Sequence, residues 1–149
     1  NKHFFYMTND KNYRVWLKTT DGIQIFENNE WRLITPTYPI VNDFFVIDDS
    51  LNLWAKQSGR PYAIVKYDGV SWYSYDLVSS SIEIRAFDVD RDGNLWVMSD
   101  SYLEKFNSNG VLIKRICNLS DCHYLKVDSQ NNIWLCTTWN IYRLNENGL

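Results

Sequence analysis

DRDGNLW, Asp90 to Trp96, is one of four stretches in which an Asp is followed six places later by a Trp. The others are Asp10 to Trp16, Asp48 to Trp54 and Asp128 to Trp134, and the tryptophans stand 38, 42 and 38 residues apart. Such a period marks a repeat architecture in which each repeat has a face it cannot bury alone. Outward from the motif, the residues beside each Trp are apolar in every copy: Val15 and Leu17, Leu53 and Ala55, Leu95 and Val97, Ile133 and Leu135. A run apolar on both sides is a strand buried on both faces.

The strands around the motif follow in the same order each time. The third repeat reads IRAFDVD, LWVMSD, YLEKFN and VLIKRIC, with Gly93 in its first hairpin and Asn109 and Gly110 in its last. The first two repeats run HFFYMTND, YRVWLKT, GIQIFEN, EWRLITP and NDFFVID, LNLWAKQ, YAIVKYDG, SWYSYDL. The fourth gives HYLKVD, NIWLCTT and NIYRLN and then a turn, Asn145 to Gly148, without a last strand. Each repeat is thus one antiparallel four-stranded sheet packed between neighbouring sheets, and sheets stacked radially make a β-propeller with about one blade per 40 residues.

The fold expected is all-β, a propeller of about four blades near residues 1–37, 38–79, 80–119 and 120–149, the last lacking its outer strand. An unpaired blade edge is a liability. The expectation is therefore that the chain is part of a larger propeller or is completed by further blades or a homodimer partner, with a free four-blade ring as the second choice. The Trp belongs on the second strand, between blades. Burying it removes on the order of 200 Å² from water, worth several kcal/mol at roughly 25 cal/mol per Å², so Trp96→Ala is expected to unfold the domain before it alters a binding site.

Composition agrees with strands and polar turns. Seven Trp, ten Tyr and seven Phe suit pleated surfaces, and almost no helix is expected. A formal charge of −3 with both signs interspersed offers no basic stripe for phosphates, which argues against nucleic acid. No apolar run reaches membrane-spanning length. Cys117, Cys122 and Cys136 lack paired zinc-ligand spacing. Cys117 and Cys122 flank the short loop CNLSDC, where a local disulfide is conceivable in an oxidising compartment; the plainer expectation is partly buried thiols.

The residues D-x-x-G-N-L-W-V, followed by a strand, an aromatic and an Asn/Gly turn, resemble the two-component regulator propeller repeat. The best matches are FDVDRDGNLWVMSD and LKVDSQNNIWLCTTWNIYRLNENG. The first two repeats depart from it, with Tyr13 and Leu51 where the repeat prefers Gly or Asn, and a different turn type is expected there. The resemblance implies a non-enzymatic sensor module in the periplasmic or extracellular region of a hybrid two-component system, often linked to carbohydrate sensing, with no cofactor. Similar repeats also occur in stand-alone propellers, lectins and a few lyases. An interaction or dimerisation scaffold is the alternative function, and a propeller-type lyase comes third.

Propeller ligands commonly bind where the loops between strands two and three meet those entering each blade. Five places before the repeated Asp stand Phe5, Asp43, Arg85 and His123, on the side of an apolar layer of Met7, Phe45, Phe87 and Leu125. Asp43, Arg85 and His123 have the donors and acceptors to orient a polar ligand. The plainer reading, an Asp43 to Arg85 salt bridge between blades with His123 merely exposed, carries more weight. Trp139 occupies a turn where the other repeats place Gly22, Arg60 or Ser101. Stacking of a sugar on Trp139, helped by Tyr102 and by Arg60 and Tyr62 in the inserted SGRPY loop, is the sharpest binding expectation. Packing of Trp139 against an adjoining blade or a partner is its rival.

Two motifs weigh against chemistry. Asp88, Asp90, Asp92 and Gly93 begin a calcium-loop pattern, but Trp96 and Ser99 stand where further oxygen ligands belong, so a hairpin turn and no metal site is expected. With His3 and His123 as the two histidines and no nucleophile motif, no catalytic residue is assigned. The Asn118-Leu119-Ser120 sequon would matter only in a eukaryotic secretory protein.

Overall fold

The computed structural model describes residues 3–77, 83–99, 102–117 and 121–145, and at 42, 43 and 117 the backbone alone. The 118–120 sequon lies outside these residues. Among the described residues every regular element is a strand, in four antiparallel sheets. Sheet one is β1 (Phe4–Asn9), β2 (Val15–Thr19), β3 (Gly22–Glu27) and β4 (Glu30–Ile34). Sheet two is β5 (Ile40–Ile47), β6 (Leu53–Gln57), β7 (Ala63–Tyr67) and β8 (Trp72–Asp76). Sheet three is β9 (Ala86–Val89), β10 (Leu95–Met98), β11 (Tyr102–Phe106) and β12 (Leu112–Cys117). Sheet four holds β13 (Cys122–Val127), β14 (Ile133–Thr137) and β15 (Ile141–Leu144). Each sheet keeps its strands in chain order, the meander of a propeller blade. No helix among the described residues is long and apolar enough to cross a membrane.

The Asp-to-Trp spacing has a local cause. One oxygen of Asp48 accepts the backbone N–H groups of Ser50 and Asn52, both at 2.9 Å, while the other accepts the indole N–H of Trp54 at 2.9 Å. Asp10 does the same for Asn12, Arg14 and Trp16, Asp90 for Asp92, Asn94 and Trp96, and Asp128 for Gln130, Asn132 and Trp134. A carboxylate has enough lone pairs for all three donors, and no neutral side chain of that length replaces it. Each Asp thus clasps the turn of its hairpin to the start of the second strand.

The four turns are alike, which corrects the expectation for the first two repeats. Tyr13, Leu51, Gly93 and Asn131 all take positive φ, 60°, 67°, 78° and 60°. Each also donates its backbone N–H to the carbonyl of the Asp three places earlier. This is a type I turn followed by a left-handed residue. The clasp holds the conformation even where a side chain opposes it, at a cost of roughly 1–2 kcal/mol per residue.

The chain divides into two compact units, Asn1–Ser74 and Tyr75–Leu149, the division passing through β8. In the first, Trp16, Ile23, Ile25 and Ile34 of sheet one pack against Phe45, Leu53, Ala55, Val65 and Tyr67 of sheet two. In the second, Ala86, Trp96, Met98 and Leu103 of sheet three pack against Leu125, Ile133, Leu135 and Leu144 of sheet four. A cation lies over every motif indole: Arg14 over Trp16, Lys66 over Trp54, Lys105 over Trp96 and Arg143 over Trp134, at 4.9 to 5.9 Å.

Two core expectations need correction. Trp16, Trp54 and Trp96 are buried, but Trp134 is 37% exposed. Phe45, Phe87 and Leu125 are buried, but Met7 of the same layer is 67% exposed. Trp134 lies on the face of sheet four, and Met7 on the face of sheet one, that points away from the core of its own unit. Cys122 is a buried free thiol, raised above its ordinary pKa by burial and then by the Asp121 charge, and Cys136 is free and half-buried. The thiol of Cys117 lies outside the described residues.

Candidate binding surface

The residues expected to bind divide between the units. In the first, Arg60 and Tyr62 sit in the β6–β7 loop, with the guanidinium 5.8 Å from the Tyr62 ring centre. The loop is tied down by Ala63 N–H donating to the Arg60 carbonyl at 3.0 Å and by Ser58 N–H donating to the Pro39 carbonyl at 2.8 Å. The insertion is thus a compact turn in which a cation and an aromatic stand together. Asp43 lies on β5 between Ile40 and Phe45, where the pairing with β6 shifts register; its side chain is outside the described set, as is the pairing expected with Arg85.

In the second unit Arg85 precedes β9 and is exposed, its N–H bonded to the Met98 carbonyl at 2.9 Å. Tyr102 opens β11, half-buried beneath the Arg115 guanidinium, which lies 4.9 Å from its ring centre and is held by Glu104 at 2.7 Å. One face of Tyr102 is therefore occupied. Arg115 was not among the residues singled out from the sequence, although Glu104 and Arg115 face each other across β11 and β12, a juxtaposition that needs the register to be known.

His123 and the Trp139 turn come together. The β13–β14 pairing shifts between Cys122 and Tyr124, which places His123 at a bulge, a device that re-aims a side chain. Its Nε2 lies 3.3 Å from the Thr138 hydroxyl, next to Trp139. The turn itself is organised by Thr137, whose hydroxyl accepts the N–H groups of Trp139 and Asn140 at 3.2 and 2.9 Å. Thr137 N–H closes it on the Asn140 carbonyl at 2.9 Å. The indole carried there is 86% exposed. A hydroxyl-capped turn of this kind restrains the backbone while leaving the aromatic face to solvent.

The carboxylates of the calcium-like run are engaged by protein donors. Asp88 accepts Val127 N–H at 2.8 Å and pairs with Lys126 at 2.9 Å. Asp90 holds its clasp and Lys105 at 2.9 Å, and Asp92 accepts the Asn131 amide at 3.3 Å. The run is a hairpin turn, with Asp88 joining sheet three to sheet four. Burial opposes ionisation of Asp90, but Lys105 and Asn94 outweigh it and hold the carboxyl below its ordinary range. In the first unit a shallow cleft along the β3–β4 hairpin, lined by Glu27, Asn28, Glu30, Trp31, Arg32 and Leu33, contains none of the expected residues.

No family model matches the sequence, and no curated protein matches it. Among solved structures, virginiamycin B lyase from Staphylococcus aureus superposes with a TM-score of 0.75 at 14% identity, over 98% of this chain and 53% of that one. Kluyveromyces lactis Hsv2 gives 0.75 at 12%, over 97% and 49%. The extracellular domain of the hybrid two component system BT4673 from B. thetaiotaomicron gives 0.60 at 16%, over 94% and 21%. This chain thus spans about half the length of the lyase it resembles. At these identities the likeness establishes the fold: the chain is a propeller module.

Proposed function

We propose that this propeller module is a non-enzymatic binding domain of an extracytoplasmic sensor that recognises a carbohydrate or other polar solute through its loops. The observation that carries the reading is the Trp139 turn, where an indole is held out to solvent by a Thr137-capped backbone and the preceding Thr138 hydroxyl lies 3.3 Å from His123 Nε2. An aromatic face presents a platform to the C–H face of a sugar, and the neighbouring ring nitrogen and Thr138 hydroxyl supply hydrogen bonds to its hydroxyls. The likeness to the extracellular domain of a hybrid two-component system supports a sensor context, and a periplasmic or extracellular location belongs to the same reading. Arg60 with Tyr62, and Arg85, Tyr102 and Asp43, are its proposed secondary contacts.

The test is glycan-array binding followed by titration calorimetry on hits, with Trp139→Ala and His123→Ala. Because both side chains are exposed, stability should stay within about 0.5 kcal/mol while affinity falls at least tenfold for Trp139→Ala. Unchanged binding by Trp139→Ala would remove the reading's support.

A further inference from the structure

We propose that the first unit holds a carboxylate site at the loop end of β2, where the Lys18 ammonium receives a singly charged carboxylate from a small solute. This goes beyond the reading built on the Trp139 turn and uses none of its residues.

Lys18 is a charged side chain inside a core. It is 5% exposed, on the face of β2 that also carries buried Trp16. Its cross-strand partners there are Tyr6 and Ile23, and the Tyr6 ring centre lies 5.2 Å from that of Phe45 in sheet two. Lysine is almost never buried so fully unless it is paired. The third repeat shows what packing alone puts at this position: Met98, two places past its Trp as Lys18 is past Trp16, is 0% exposed.

The ammonium has more to give than its surroundings take. Of its three N–H donors, one goes to the Thr19 carbonyl at 2.7 Å, and the Phe5 ring centre lies 5.6 Å away. Among the described residues these are its partners, and neither is a carboxylate. Burial works against the charge and pulls the ammonium below its ordinary pKa. A buried cation without a counter-ion destabilises the fold that holds it, so an anion that reaches Lys18 gains affinity by relieving that penalty.

Position and charge select the ligand. Lys18 is next to last in β2, and the turn that follows, Thr20 and Asp21, is exposed. The ammonium therefore stands at the solvent end of its strand. One positive charge balances one negative charge, whereas a phosphate dianion would leave a second charge uncompensated in apolar surroundings. The Asp21 carboxylate at the turn opposes a dianion more strongly than a monoanion. A carboxylate is the common biological group that carries a single charge and accepts an ammonium N–H.

The experiment titrates the unaltered 149-residue chain with sodium acetate, sodium phosphate and sodium chloride at constant ionic strength, reading the Lys18 Cε resonance by NMR. Acetate should move it saturably, with half-saturation below about 10 mM. Phosphate should bind at least tenfold more weakly, and chloride should leave the resonance in place. Trp139→Ala should titrate with acetate as the unaltered chain does, which separates this site from the sugar-binding reading. Lys18→Met, which installs the side chain of the third repeat, should unfold at a higher urea concentration than the unaltered chain in chloride. An acetate titration without saturation, or phosphate binding as tightly as acetate, would overturn the proposal. So would a lower urea midpoint for Lys18→Met, since the counter-ion would then be a carboxylate of the chain itself, Asp43 being the first to test.

Discussion

Trp96 and Trp134 belong to the same hairpin pattern and meet opposite surroundings. Both donate the indole N–H to the Asp six places earlier, at 3.2 and 2.9 Å, and both lie under a cation, Lys105 or Arg143. Yet Trp96 is 2% exposed and Trp134 37%. The clasp is therefore made by the chain locally, whether or not a sheet covers it. Burial is a separate property, supplied by the next sheet, and the larger share of the energy lies there because apolar area removed from water outweighs one net hydrogen bond.

The comparison breaks most visibly by truncation. Trp96→Ala should cost about 3–5 kcal/mol and Trp134→Ala about 1 kcal/mol, read from urea unfolding midpoints. Equal losses would mean that the clasp, not the covering sheet, holds the blade.

Asp90→Ala comes next. It strips partners from two backbone amides, the Trp96 indole and Lys105, and should cost about 3 kcal/mol. Asp128→Ala, at the exposed hairpin, should cost clearly less. The same clasps predict an acid slope. Burial raises the Asp10 carboxyl, but bonds from Trp16 and Arg14 bring it below its ordinary value, Asp90 is likewise lowered, and Trp134 and Asn132 hold Asp128 well below the carboxylate range. Groups depressed in the fold stay ionised while the unfolded chain takes up protons, so their contribution is full above about pH 5 and shrinks as pH falls toward 2. The unfolding midpoint should drop across that window, and Asp90→Ala should flatten the drop. A midpoint independent of pH would contradict the clasp as drawn.

The smallest effect is at the turns. Leu51 at φ 67° and Gly93 at φ 78° occupy one conformation, and a Cβ added at Gly93 meets nothing within 4 Å. Leu51→Gly should therefore gain, and Gly93→Ala lose, about 1 kcal/mol of stability, measured by the same unfolding curves. A loss at Leu51→Gly would show that its side chain contributes more than its backbone costs.

The blade order and the Trp-bearing second strand were legible because they rest on local periodicity: alternate residues face opposite sides of a strand, and the Asp reaches its Trp within one hairpin. The turns at Tyr13 and Leu51 are not legible from residue preference alone, because the Asp10 and Asp48 carboxylates override it. At the candidate site Trp139 stood out as an aromatic in a turn, whereas its neighbours did not. The approach of His123 to Thr138 depends on a bulge, and Arg115 over Tyr102 on cross-strand register, neither of which leaves a mark in residue spacing.

By itself, then, the sequence determined the repeat, the hairpins and the layout of each face, since those follow from contacts within a few residues along the chain. Only the tertiary structure decided which faces are covered. Met7 and Phe45, or Trp134 and Trp96, are equivalent in pattern and opposite in exposure, because burial is conferred by a neighbouring sheet and no residue encodes its neighbour's presence.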